Sequence, residues 1–168
     1  MQRRWIFPKI ISDPAVGRLG EELKLPEVLA GILVRNACQT SEDVEAFLHP
    51  KLRTLSDPTL LPDMSAACTR VLQALERREL IVLYGDYDVD GVTSLALLKR
   101  LLCALGGEVE CFLPHRVDEG YGLSPSGVAR CFEEFSPALL LAVDCGTNSA
   151  PEVADIRARG ADVIILDH

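Results

Sequence analysis

A chain of 168 residues, 48% apolar and 25% charged, suits one globular domain or one domain with a helical extension, and excludes a disordered tail, a collagen and a coiled coil. The net charge of −8 is unevenly placed: residues 1–78 hold 11 Lys/Arg against 10 Asp/Glu, whereas residues 79–168 hold 6 against 15. No run is long enough to span a bilayer, and the opening MQRRWIFPKIISDP lacks the apolar core and small-residue site of a secretion signal. A cytoplasmic protein without a membrane partner is therefore expected. The cysteines at 38, 68, 103, 111, 131 and 145 show no metal-type spacing. They read as free thiols, several of them in apolar runs, in a reducing compartment.

Residues 1–78 read as a small helical leader. Segments 26–36 and 41–48 have apolar residues three and four apart, the second opening on Ser41 as an N-terminal cap. Prolines at 50, 58 and 62 make the following stretch a linker, and a helix over 64–78 leads into the second part. Trp5 is assigned to packing rather than to stacking on a base.

From Glu79 the pattern changes. ELIVLYG is a strand candidate, and VTSLALLKRLLCAL a helix with Val92, Leu95, Leu98, Leu102 and Leu105 on one side, stopped by Gly106-Gly107. EVECFLP, PALLLAVDCG and ADVIILDH are further strands, separated by helices in SPSGVARCFEEF and APEVADIRARG. The fold class is α/β: a parallel sheet of about four strands with helices on both faces. In such sheets the binding crevice lies beyond the carboxyl ends of the strands.

That edge is where the acidic residues fall. The first strand runs into Gly85-Asp86-Tyr87-Asp88-Val89-Asp90-Gly91, the third ends at Asp144-Cys145-Gly146 and the fourth at Asp167-His168. Each aspartate alone would read as a turn or cap residue. Together, five carboxylates would repel one another strongly unless cations sat among them. Oxygen-rich ligation favours Mg²⁺ or Mn²⁺, and an imidazole shifts the preference toward Mn²⁺. Asp86-x-Asp88-x-Asp90-Gly91 also opens like a calcium loop, but position twelve is Leu97 and a strand precedes it, so calcium is discarded. Asp88-Val89-Asp90-Gly91-Val92 after an apolar strand is similar to the nucleophile loop of haloacid-dehalogenase-type phosphatases. A phosphatase with Asp88 as nucleophile is the alternative, as is a non-catalytic nucleic-acid-binding relative.

In order and spacing, IVLYGDYDVDGVTS, LPHRVDEGYGLS, AVDCG and IILDH resemble the first motifs of the DHH phosphoesterase superfamily, specifically of its RecJ-type single-stranded-DNA exonucleases. The resemblance extends to the leader, from about Leu25. It implies that Asp86, Asp88 and Asp90 supply the first metal ligands, that Asp144 bridges two ions, that His168 is the imidazole ligand and that Asp167 orients it. Two divalent ions, Mn²⁺ or Mg²⁺, would then drive hydrolysis of phosphodiesters from the 5′ end, releasing mononucleotides, in DNA recombination and repair. Partners would be single-stranded DNA, with a single-strand-binding protein and a helicase. Gly91 is expected to let the backbone approach the phosphate, with helix amides at Val92–Ser94 pointing toward it. Arg116, Tyr121 and Gly122 are expected on the substrate, with a tight turn and Arg116 paired to Asp118 or Glu119 as the alternative. His49 and His115 are read as structural or solvent-facing, Tyr84 and Tyr87 as core or site wall.

The family's third motif is Asp-His-His, and this sequence stops after the first His. Residues 79–168 are accordingly expected to be a DHH domain truncated at its third motif. The expected behaviour is that of a half-site, with weak metal binding and little or no nuclease activity.

Overall fold

The structure, a computed structural model, describes residues 13–115 and 118–168. Trp5 and Arg116, to which the sequence assigns roles, lie outside the described residues. Two compact units divide between Asp57 and Pro58.

The first unit holds α1 (Pro14–Leu23), α2 (Glu27–Arg35) and α3 (Ser41–Leu48). The side chain of Asp13 caps α1 by accepting the Ala15 amide, and Pro14 opens the helix where no intrahelical donor is needed. Ala15, Val16, Leu19, Ala30, Leu33, Val34, Cys38 and Val44 form its core. The cap of α3 is Thr40, one residue before the expected Ser41. Thr40 and Asp43 close a reciprocal capping box, while the Ser41 hydroxyl donates to Glu22.

In the second unit, α4 (Met64–Arg77) precedes β1 (Leu80–Gly85), α5 (Val89–Ala104), β2 (Glu108–Phe112), α6 (Pro125–Glu134), β3 (Leu139–Val143), α7 (Ala150–Ala158) and β4 (Asp162–Leu166). The four strands are parallel, in the order β2-β1-β3-β4. Helix α4, expected as the end of the leader, packs in this unit instead. Its Ala74, flanked by Val71 and Leu75, joins Ile81 and Leu83 of β1 and Leu95 and Leu102 of α5 on one face. The other face buries Val82 and Tyr84 of β1 against Val128 and Cys131 of α6 and Ile156 of α7. Alternate residues of one strand thus serve opposite layers, as a sheet covered on both faces demands.

Helix α5 begins at Val89, three residues before the sequence reading places it. Of the five residues expected on its apolar side, Leu95 and Leu102 are buried and Leu98 partly so, but Val92 and Leu105 are 43% and 58% exposed.

The strand order reverses direction between β1 and β3. Such a switch point opens a crevice beyond the carboxyl ends of the two strands, and the acidic segments lie there.

Candidate metal centre

Register builds the site. Gly85 pairs with Val143, and Val143 with Leu166. The next residue on each of the three strands is an aspartate: Asp86, Asp144 and Asp167 form one cross-strand row at the end of β1, β3 and β4.

Asp86 is fully buried, the one buried charged residue among those described. Its Oδ1 accepts the Tyr87 amide at 2.8 Å, and its Oδ2, also buried, accepts no hydrogen bond. A buried carboxylate oxygen without a donor is costly, and a cation is the partner that this chemistry calls for. Gly91 makes the burial possible. A Cβ there would fall on the backbone of Asp86, so only glycine lets the first turn of α5 lie against the end of β1.

Asp88 is the N-cap of α5, accepting the Gly91 amide at 3.0 Å. Asp144 has φ 61° and its amide donates to the Leu166 carbonyl at 2.8 Å, tying β3 to β4. Its carboxyl is raised above the ordinary value by burial first and by the charge of Asp88 next, with His168 opposing. Asp167 accepts the Thr147 amide and the His168 amide, both at 3.0 Å. The hydrogen bond to Thr147 is the main reason its carboxyl is held below the usual range. His168 Nε2 lies 3.5 Å from Asp144 Oδ1, with its ring 91% exposed.

Two groups of potential ligands result, each with its atoms within 4.8 Å of one another: Asp86, Asp88 and Asp144, and Asp144, Asp167 and His168. Asp144 belongs to both. Two three-donor sets sharing one carboxylate match the oxygen-rich, partly open coordination that Mg²⁺ and Mn²⁺ accept.

The other residues that the sequence singles out take varied places in this geometry. Asp90 belongs to neither group. It sits exposed in the first turn of α5, because the helical period carries it away from Asp88, and it reaches the site as a charge that raises Asp144. Asp167 stands within the second group itself, beyond orienting His168. The amides at Val92–Ser94 are spent inside α5, that of Val92 on the Asp88 carbonyl, and the Gly91 amide is held by the Asp88 carboxylate. Gly122 is buried, with its carbonyl accepting the Tyr84 hydroxyl at 3.1 Å, so it anchors its loop from within.

Tyr121 stands near enough to the carboxylates to feel their charge. It is 67% exposed, its ring meets that of Tyr87 edge-on at 6.1 Å, and the charge of Asp86 foremost raises its phenol. Glu119 is taken by Arg130 of α6, with Nε at 2.7 Å and Nη2 at 2.9 Å. That bond draws its carboxyl down to about 2. Arg130 escapes the sequence reading, since eleven positions separate the pair and no short-range spacing marks it.

The DHH family, N-terminal domain, matches residues 80–168. The single-stranded-DNA-specific exonuclease RecJ of Bacillus subtilis is 35% identical over 165 residues, covering 98% of this chain and 21% of that protein. The protein of the same name from Thermus thermophilus is 39% identical over 129 residues, covering 73% of this chain and 19% of its own. Among solved structures, RecJ in complex with Mn²⁺ from Thermus thermophilus aligns with a TM-score of 0.62 and 28% identity, covering 92% of this chain and 21% of that one. An exonuclease RecJ bound to manganese aligns with a TM-score of 0.59 and 40% identity, covering 65% of this chain and 28% of that one. The chain spans about a fifth to a quarter of the length of the curated relatives it matches. These matches lend no support to the haloacid-dehalogenase-type alternative with Asp88 as nucleophile.

Proposed function

We propose, from the premise that this chain belongs to the DHH family through residues 80–168, that its strand-end carboxylates hold two divalent cations for hydrolysis of phosphodiesters in single-stranded DNA. The observation that carries the reading is the sharing of Asp144 between two three-donor groups. Asp86, Asp88 and Asp144 would hold one cation, and Asp144, Asp167 and His168 the other. The imidazole favours Mn²⁺ over Mg²⁺. Bound there, such cations supply Lewis acidity, making water a better nucleophile and neutralising charge on the attacked phosphate.

The chain's own residues do the positioning. Asp88, fixed as a helix cap, and Asp86, fixed by burial, present oxygens that need little rearrangement. Asp167 braces the loop after β3 through the Thr147 amide, which keeps Asp144 and His168 together. Tyr121 offers an exposed ring beside the carboxylates, suited to stack on the base or sugar of a terminal nucleotide. The family reading extends this to 5′-to-3′ digestion releasing mononucleotides in recombination and repair, in the cytoplasm, with a single-strand-binding protein and a helicase as partners. What supports that extension is the resemblance of the motifs and the printed names of the relatives.

Calorimetric titration with Mn²⁺ tests the core of the proposal. Two-ion binding that Asp144→Asn abolishes supports it, with a labelled single-stranded oligonucleotide then reporting cleavage. Wild-type protein that takes up no Mn²⁺, or an Asp144→Asn variant that binds like wild type, refutes it. Cation binding with little or no cleavage agrees with the half-site expected from the sequence and does not by itself favour a non-catalytic relative.

A further inference from the structure

Tyr121 lies between two glycines of positive φ, Gly120 at 82° and Gly122 at 70°. Glycines in that region have wide conformational freedom, so the turn has no local reason to keep its ring against Tyr87. The reason lies in α6. Arg130 grips both carboxylate oxygens of Glu119, its Nη2 also donates to the Leu113 carbonyl at 2.9 Å, and its guanidinium stands 4.1 Å over the Phe112 ring. Glu119, its side chain only 7% exposed, accepts the His115 amide at 2.6 Å as well. On the far side of the turn the buried Tyr84 hydroxyl holds the Gly122 carbonyl. The two ties bracket Tyr121.

We propose that Arg130 is a positioning residue: its fork onto Glu119 sets the Gly120-Tyr121-Gly122 turn so that Tyr121 faces the carboxylate row before a nucleic-acid end arrives. This rests on the reading of that row as a phosphodiester-cleaving site. A ring held in place beforehand spares the ordering cost that a loose turn would impose on binding. The demand is for arginine, because two parallel donors and a flat cation over an aromatic ring are beyond lysine. Arg130 and Glu119 touch none of the proposed ligands, and the one group released, the Tyr121 phenol, acts on Asp86 from an exposed position, so cutting the tie should spare the ligand set and with it cation binding.

The test is NMR on this chain with ring-labelled tyrosine and phenylalanine, in wild type, Glu119→Gln and Arg130→Lys, paired with Mn²⁺ calorimetry. Wild type is expected to show cross-peaks between the Tyr87 and Tyr121 rings and between Tyr84 and Phe112, whose centroids lie 5.0 Å apart. Both variants should lose the first set and keep the second, with Mn²⁺ affinity unchanged. Retention of the Tyr87–Tyr121 cross-peaks overturns the inference. Loss of the Tyr84–Phe112 cross-peaks in both variants overturns it too, since Arg130 would then serve the whole fold, as does Mn²⁺ affinity falling alongside. If wild type binds no Mn²⁺, the proposed function fails while the ring cross-peaks still judge the tie.

Discussion

Asp144→Asn should make the cation-free protein more stable. The Asp144 oxygen lies within 4.8 Å of those of Asp86 and Asp88. One like-charge pair at that distance costs about 1 kcal/mol at the permittivity of water and about 3.5 kcal/mol at an effective value near 20. Asp88, the stronger of the two influences on Asp144, is exposed, and the row opens to solvent at that side, so both pairs belong near the lower figure. The exposed His168 returns only a little. A net relief of about 2 kcal/mol is a fair expectation, and asparagine suits the positive φ at this position better than most residues. For a chain of this size that raises Tm by roughly 4–8 °C. The sign of the pH dependence follows from the raised Asp144 carboxyl. The native state takes up protons more readily than the unfolded chain, so wild type loses stability as pH rises from the ordinary value of 3.8 through the raised one. The gap between variant and wild type should therefore close in acid. Saturating Mn²⁺ should reverse the order, since a ligand at 100 times its Kd adds about 2.7 kcal/mol to the form that binds it. Differential scanning fluorimetry at pH 7, with chelator and with Mn²⁺, reads both halves. A lower Tm for Asp144→Asn in chelator, or an equal Mn²⁺ shift in both proteins, would refute the reasoning.

Gly91→Ala should cost about 1–3 kcal/mol in chemical denaturation, the range for overpacking, and weaken Mn²⁺ binding because the atom it must displace is backbone of Asp86. Asp88→Asn should weaken Mn²⁺ binding by at least about tenfold, a loss typical even of outer residues at metal sites; Asp90→Asn should change it far less, and equal losses by calorimetry would put Asp90 back among the ligands. Glu119, held near 2 by Arg130 against an ordinary 4.5, contributes stability that is present above pH 4.5 and lost as pH falls toward 2. Urea unfolding of Glu119→Gln should therefore lack that part of the acid decline.

The apolar strands ending in aspartate are legible in the sequence because a parallel strand buried on both faces needs an unbroken apolar run. The residues just past the end of such a run reach the crevice whatever the strand order. The row of Asp86, Asp144 and Asp167 is less legible, since it depends on β3 lying beside β1 and β4 beside β3. Alternate spacing in Asp86-x-Asp88-x-Asp90 looks like one loop face, whereas the chain turns helical at Val89 and leaves Asp90 exposed in the first turn of α5. Helix α1 is not singled out either, although Asp13-Pro14 carries the cap and first-turn proline that mark a helix start. The Arg130 fork has no local signal at all, being a contact between a loop and a helix that only tertiary packing creates.

The aspartate row has an implication for which changes in chain length this fold can bear. Each member is reached by counting residues out of a paired strand, so one residue inserted or deleted within β1, β3 or β4 would swing its aspartate to the opposite side of the sheet. Outside Asp86–Gly91, Glu119–Gly122 and the Thr147 loop, the helices and connections carry no such count and are free to lengthen. Related chains should therefore differ in size between the strands while their strands stay the same length, and a strand of altered length should mark a chain that has given up its cations.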